Sequence, residues 1–145
     1  ISTTYLDPKW FTPSIIEGTP KTLSGKWVNV NESMSDASRA YQKQITGKEG
    51  QAFLQNGVKF DGVNNGTLIE TKGSYNNFVN KKTGEYYDWF KGKDSLVDQA
   101  NRQIAASEGA QINWYFSEQT SMNATKSLFQ SQGIKGINFI FEALK

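Results

Sequence analysis

From residue 31 onward the chain alternates between two apolar periodicities, and that alternation constrains its fold more than any other feature. Met34, Ala37, Tyr41 and Ile45 recur at helical spacing, whereas Leu68, Glu70 and Lys72 recur at strand spacing. Helical spacing then returns, is broken by a short β-rich run, and returns again before a last β-rich run. Strands separated by helices lead to a mixed α/β sheet covered by helices on both faces.

The capping and turn residues set expected bounds. A helix is expected over 31–47, with Ser33 or Ser35 as cap, Asp36 near its start and Gly47 at its end. Residues 50–56 read as a short turn or strand. Val58 to Asp61 and Thr67 to Lys72 read as the arms of a hairpin, because Asn65-Gly66 is a strong hairpin signal. Residues 75–93 read as a long loop or partial helix. A helix over 94–108, capped by Asp94 and stopped by Gly109, precedes a strand from Ile112 to Phe116. A helix over 119–132, burying Met122, Leu128 and Phe129 and ending at Gly133, leads to a final strand from Gly136 to Phe141.

A length of 145 residues suits one domain, and 9 Phe, 6 Tyr and 4 Trp are ample for its core. All three prolines, Pro8, Pro13 and Pro20, fall in residues 1–25, which read as an irregular arm or linker end before a domain over 26–145. Tyr5, Leu6, Trp10 and Phe11 suggest that part of the arm docks on that domain. No run reaches the ~18 apolar residues of a membrane span, and no basic-then-apolar leader opens the chain. Starting at Ile1, it reads as a piece of a longer protein.

The chain has no Cys and no His. Disulfides, thiolate nucleophiles, imidazole bases and Cys- or His-ligated metals are therefore excluded. Chemistry is left to carboxylates, Lys, Arg, Tyr and amides, which favours a hard cation on oxygen ligands, such as magnesium. The net charge of +2 does not by itself call for a polyanionic partner.

One constellation fits such chemistry. Glu70 and Lys72 are two apart on a strand and share a face, and Asp61 on the preceding arm can reach the same end. Two carboxylates holding a divalent cation, beside an ammonium, suit phosphodiester hydrolysis. The same spacing equally describes a solvated strand face with a Glu-Lys pair. Gln99, Arg102 and Gln103 share a helix face and are expected to line the rim of the site, gripping a phosphate or base; a plain polar helix face has the same pattern. Glu32 either approaches the metal or sits as a favourable charge at a helix N-terminus. Lys81, Lys82, Lys91 and Lys93 interleave with aromatics between Tyr75 and Lys93, a pattern that suits nucleic acid and also suits core aromatics with solvated lysines.

Taken together, Asp61 and Glu70-Thr71-Lys72 resemble the PD-(D/E)xK signature of restriction-endonuclease-like nucleases, without the proline before the first acid. More specifically, the chain resembles the Tox-REase-5 group of polymorphic bacterial toxins. Ser38-Arg39-Ala40-Tyr41-Gln42, Ile45-Thr46-Gly47, Gly57 to Gly62, Leu68 to Gly73, Gln99-Ala100 with Gln103, and Trp114 to Glu118 carry the likeness, which spans about residues 30–142. The resemblance implies a restriction-endonuclease-like fold with Asp61, Glu70 and Lys72 at the catalytic positions. It implies Gln103 or Gln99 at the supporting helix position, and Glu32 as a first-helix acid. It further implies magnesium, with manganese as the alternative cation. The implied setting is a DNase domain at the C-terminus of a larger secreted effector, acting in the cytoplasm of a competing bacterium and countered by a cognate immunity protein. Two alternatives stay open: an RNase of the same fold, and a non-catalytic module that binds nucleic acid or protein.

Overall fold

The structure is a computed structural model that describes residues 23–145. Tyr5, Leu6, Trp10, Phe11 and the three prolines of the expected arm lie outside the described residues. The elements run β1 (Lys26–Asn29), α1 (Asp36–Thr46), β2 (Gln51–Gln55), β3 (Val58–Phe60), β4 (Gly62–Asn64), β5 (Thr67–Lys72), a 3₁₀ turn (Asn76–Phe78), α2 (Gly92–Ala106), β6 (Ile112–Phe116), α3 (Gln119–Ser131) and β7 (Asn138–Phe141).

The strands of the described residues form two sheets. One is three-stranded, ordered β1-β2-β3, and the other is four-stranded, ordered β4-β5-β6-β7. Two Asn-Gly turns explain the division. Asn56-Gly57 has φ of 50° and 79°, and Asn65-Gly66 has φ of 50° and 78°. Positive φ at both central residues is the type I′ geometry that matches strand twist. The first turn pairs Gln55 with Val58 and the second pairs Asn64 with Thr67. The expected single hairpin of 58–61 on 67–72 is therefore corrected. β3 belongs to the first sheet, only β4 pairs with β5, and Asp61 sits at the bend between them.

β5, β6 and β7 are parallel and joined by α2 and α3, as parallel strands require. Trp114 packs edge-on against Phe129 of α3, and its indole N–H donates to Gln103 of α2. Those two helices thus cover the face that carries Leu68, Glu70 and Lys72. α1 packs on the opposite face, where Tyr115 lies close enough to Tyr41 to affect its hydroxyl. Trp114, Phe60, Phe116, Phe129, Leu68, Ile112 and Ile140 form the buried centre.

Several bounds differ from expectation for local reasons. α1 starts at Asp36, not 31, because the Ser35 side chain accepts from Ser38 N–H and fixes the cap there. Residues 31–34 precede the helix, and Glu32 lies among them. Asp94 does not cap α2; the helix begins at Gly92, and Asp94 sits in its first turn near the positive end of the dipole. β1 was not legible as a strand, and residues 51–55 prove to be one. Within 75–93, a bridge between Val79 and Tyr86 closes the loop and sends Val79, Tyr86 and Phe90 into the core.

Candidate active site

The site is built on β5. Glu70 and Lys72 point the same way, and both are buried, at 6% and 7% exposure. Charges buried this deeply must be paired. Lys72 Nζ lies 3.2 Å from Glu70 Oε2. Gln99 of α2 bridges them: its carbonyl accepts from Lys72, and its amide nitrogen donates to Glu70 Oε2 at 3.0 Å. One turn further along α2, Gln103 donates to Glu70 Oε1 at 3.0 Å and accepts from the Trp114 indole at 2.8 Å. The Lys72 ammonium also sits 4.7 Å from the Trp114 ring centroid.

Asp61 enters from the bend before β4, one residue beyond the Gly62–Ile69 pair. Its Oδ2 accepts from both the backbone N–H and the hydroxyl of Thr71, each at 2.8 Å. Burial and the neighbouring Glu70 charge push the Asp61 carboxyl up to about 7, against the opposing pull of the Thr71 bonds and Lys72. Burial draws Lys72 down, but the combined attraction of Glu70, Tyr75 and Asp61 outweighs it, so its pKa ends raised and the ammonium persists.

These groups line one cleft of about 280 Å³ between α1 and β5, with Ser38, Tyr41 and Gln42 forming the α1 wall and Met34 standing just ahead of the helix. That volume is at the low end for ligand pockets and suits an ion with a phosphate group better than a large organic molecule. Glu32 also lines the cleft, but its carboxylate is ion-paired with Lys59 at 2.7 Å. Among the described residues no three acidic side chains gather as a metal-holding group, so Glu32 is not clustered with Asp61 and Glu70.

The expected rim of Gln99, Arg102 and Gln103 is corrected. Gln99 lines the cleft, whereas Gln103 lies fully buried beneath Glu70. Arg102 turns to Asp98, 3.0 Å away on the exposed side of α2. Lys81, Lys82 and Lys91 are exposed on the aromatic loop and do not line the cleft. Two contributors were not singled out from sequence. Thr71, the middle residue of the Glu-x-Lys triplet, anchors Asp61, and Trp114 holds both Gln103 and Lys72. Strand alternation marks Trp114 as inward-facing, but nothing in the sequence names its partner.

A family model described as restriction endonuclease fold toxin 5 (Tox-REase-5) matches residues 38–119. The chain belongs to that family. The matched stretch contains every residue of the Asp61, Glu70, Lys72, Gln99, Gln103 and Trp114 network. Membership makes the chain a toxin domain of a nuclease fold. No curated protein matches it. Among the described residues no helix is long and apolar enough to cross a membrane.

Restriction-endonuclease-like folds generally use divalent metals, and the donor set of this toxin domain suits one. Asp61 and Glu70 offer hard oxygen ligands. Among the described residues, only Oδ2 of Asp61 is engaged and Glu70 Oε1 accepts a single bond. Two carboxylates, not three, match a cation that keeps several of its own waters, as magnesium does.

Proposed function

We propose that this toxin domain is a magnesium-dependent DNA endonuclease. The observation that carries the reading is the gathering of Asp61, Glu70 and Lys72 in one cleft, with Glu70 and Lys72 buried and locked by two amides. Asp61 and Glu70 are the proposed ligands, and manganese is the alternative cation. Asp61 and Glu70 would hold a divalent cation there, which would supply phosphate polarisation and a more acidic bound water near neutral pH. The chain's own residues do the rest. Thr71 holds the Asp61 carboxylate in place, and Gln103 pins Glu70 from below. Gln99 keeps Lys72 beside Glu70, so that a positive charge faces the oxygens on which negative charge builds during hydrolysis. The fixed dipoles need no rearrangement as the reaction proceeds.

The family's toxin character supports the wider setting. In that setting the domain is the C-terminal effector of an interbacterial competition system, delivered as part of a larger secreted protein. It acts on DNA in the cytoplasm of a target bacterium, and a cognate immunity protein restrains it in the producer. The exposed Lys81, Lys82, Lys91 and Arg102 are proposed contacts to the nucleic-acid backbone away from the cleft.

The test is direct. Purified protein is incubated with plasmid DNA and with total RNA, in magnesium, with and without chelator. Nicking or linearisation of plasmid only in magnesium is expected. Cleavage of RNA alone would replace DNA by RNA as substrate, and cleavage undiminished by chelator would sink the metal-dependent reading.

A further inference from the structure

We infer that Trp114 is a positioning residue of the candidate site, whose indole N–H fixes the Gln103 amide that holds Glu70 while its ring seats the Lys72 ammonium. The role in catalysis rests on the nuclease reading above; the contact chain does not.

The β5–β6 register creates the arrangement. Glu70 pairs with Trp114 on the adjacent parallel strand, so both side chains face α2. Trp114 is fully buried, as is Gln103. An indole N–H only donates and a carboxylate only accepts. Gln103 therefore has one amide orientation that satisfies both neighbours: carbonyl to Trp114 at 2.8 Å and nitrogen to Glu70 at 3.0 Å. Without the indole N–H, the buried Gln103 carbonyl loses the donor it has in this network, and of the two contacts that orient the amide only the one to Glu70 is left. A reversed amide sets its oxygen against the Glu70 carboxylate. The same tryptophan ring lies 4.7 Å from Lys72 Nζ, so one side chain references both members of the ion pair. The direct hydrogen-bond partner of a ligand, the place Gln103 holds, typically changes metal affinity by 10–100-fold when removed, and Trp114 acts through that partner.

The decisive experiment uses the metal-free protein and nuclear magnetic resonance of the Glu70 side-chain carboxyl carbon and the Gln103 side-chain amide. Trp114→Phe keeps a ring under Lys72 and removes the donor. Trp114→3-benzothienylalanine keeps the bicyclic shape and its ring currents and removes only the N–H, which guards against a folding defect in the first variant. Both are expected to move the Glu70 carbon signal and to speed exchange of the Gln103 amide protons at least tenfold. On a Gln103→Ala background the same Trp114 change should leave the Glu70 signal where Gln103→Ala puts it. An unmoved Glu70 signal in the folded benzothienyl variant would overturn the proposal, as would an undiminished further shift on the Gln103→Ala background. Calorimetric titration with manganese supplies the second arm, with binding expected to weaken on the order of tenfold or more. Unchanged manganese affinity in a variant whose Glu70 signal has moved overturns the functional role. If the wild type binds no manganese while the Glu70 signal still depends on Trp114, the metal reading fails and the positioning role stands.

Discussion

Asp61 is buried beside Glu70, and burial first, with the Glu70 charge second, makes its ionised form costly in the metal-free fold. The Asp61 carboxyl, raised from its ordinary 3.8 to about 7, holds its proton more tightly in the folded than in the unfolded chain. The sign follows from linkage: the folded state binds more protons between about pH 4 and pH 7, so metal-free stability falls as pH rises through that window. Asp61→Asn removes the titration and keeps an oxygen for Thr71. We expect its metal-free melting midpoint to exceed that of the wild type by several degrees at pH 8, with the gap closing at pH 4; an equal midpoint at pH 8 would show that Asp61 ionises without penalty. For activity, Asp61→Ala and Glu70→Ala each delete a proposed ligand and are expected to abolish magnesium-dependent cleavage. Lys72→Ala deletes a single charge beside the reacting oxygens, a loss typically of ~3–4 kcal/mol, or a hundredfold to a thousandfold in rate. Rates of plasmid nicking in magnesium, measured on variants shown to be folded, check all three.

At the scale of elements, the site depends on how two hairpins are joined. Gly57 adopts φ of 79° with none of the described residues within 4 Å of where a Cβ would stand, so Gly57→Ala carries backbone strain and no clash with them. It is expected to cost about 1–2 kcal/mol of stability and leave the cutting rate intact at temperatures where the variant is folded. Gly62 is the opposite case. A Cβ there would meet Thr46 Cγ2 at 2.9 Å, at the point where α1 touches the first residue of β4. Gly62→Val must push α1 and β4 apart next to Asp61. Its rate should fall beyond any fall in melting midpoint, and activity that tracks folding alone would show that the α1–β4 contact does not set the cleft.

For the molecule as a whole, folding and metal binding are linked. Two carboxylates held close by the tertiary structure recover stability when a cation binds the folded state and not the unfolded one. At a hundredfold excess over its dissociation constant a cation adds about 2.7 kcal/mol to unfolding. Thermal unfolding followed with magnesium, with manganese and with chelator should show an upward shift in the wild type and none in Glu70→Ala. A shift of equal size in Glu70→Ala would place the bound cation elsewhere.

Much of this was legible along the chain because it is written in local chemistry. Ser35 and Gly47 bracket α1 through a side-chain acceptor and a left-handed residue, and Asn65-Gly66 sets a turn through its backbone preference. Asn56-Gly57 carries the same turn signal, and reading it would have separated β3 from β5 in advance. The same-face placement of Glu70 and Lys72 follows from the pleat alone. The bury-or-expose outcome does not. Gln103 and Arg102 are neighbours on one helix, yet the docking of α2 on β5 and β6 buries the first against Glu70 and leaves the second in solvent with Asp98. Glu32 and Lys59 are 27 residues apart, and their pairing exists only because β1–β2–β3 folds back beside the cleft. Local sequence determined where helices, turns and strand faces form, since those are decided within a few residues. Which amide serves which charge was decided by strand register and helix docking, which bring together groups the chain itself keeps far apart.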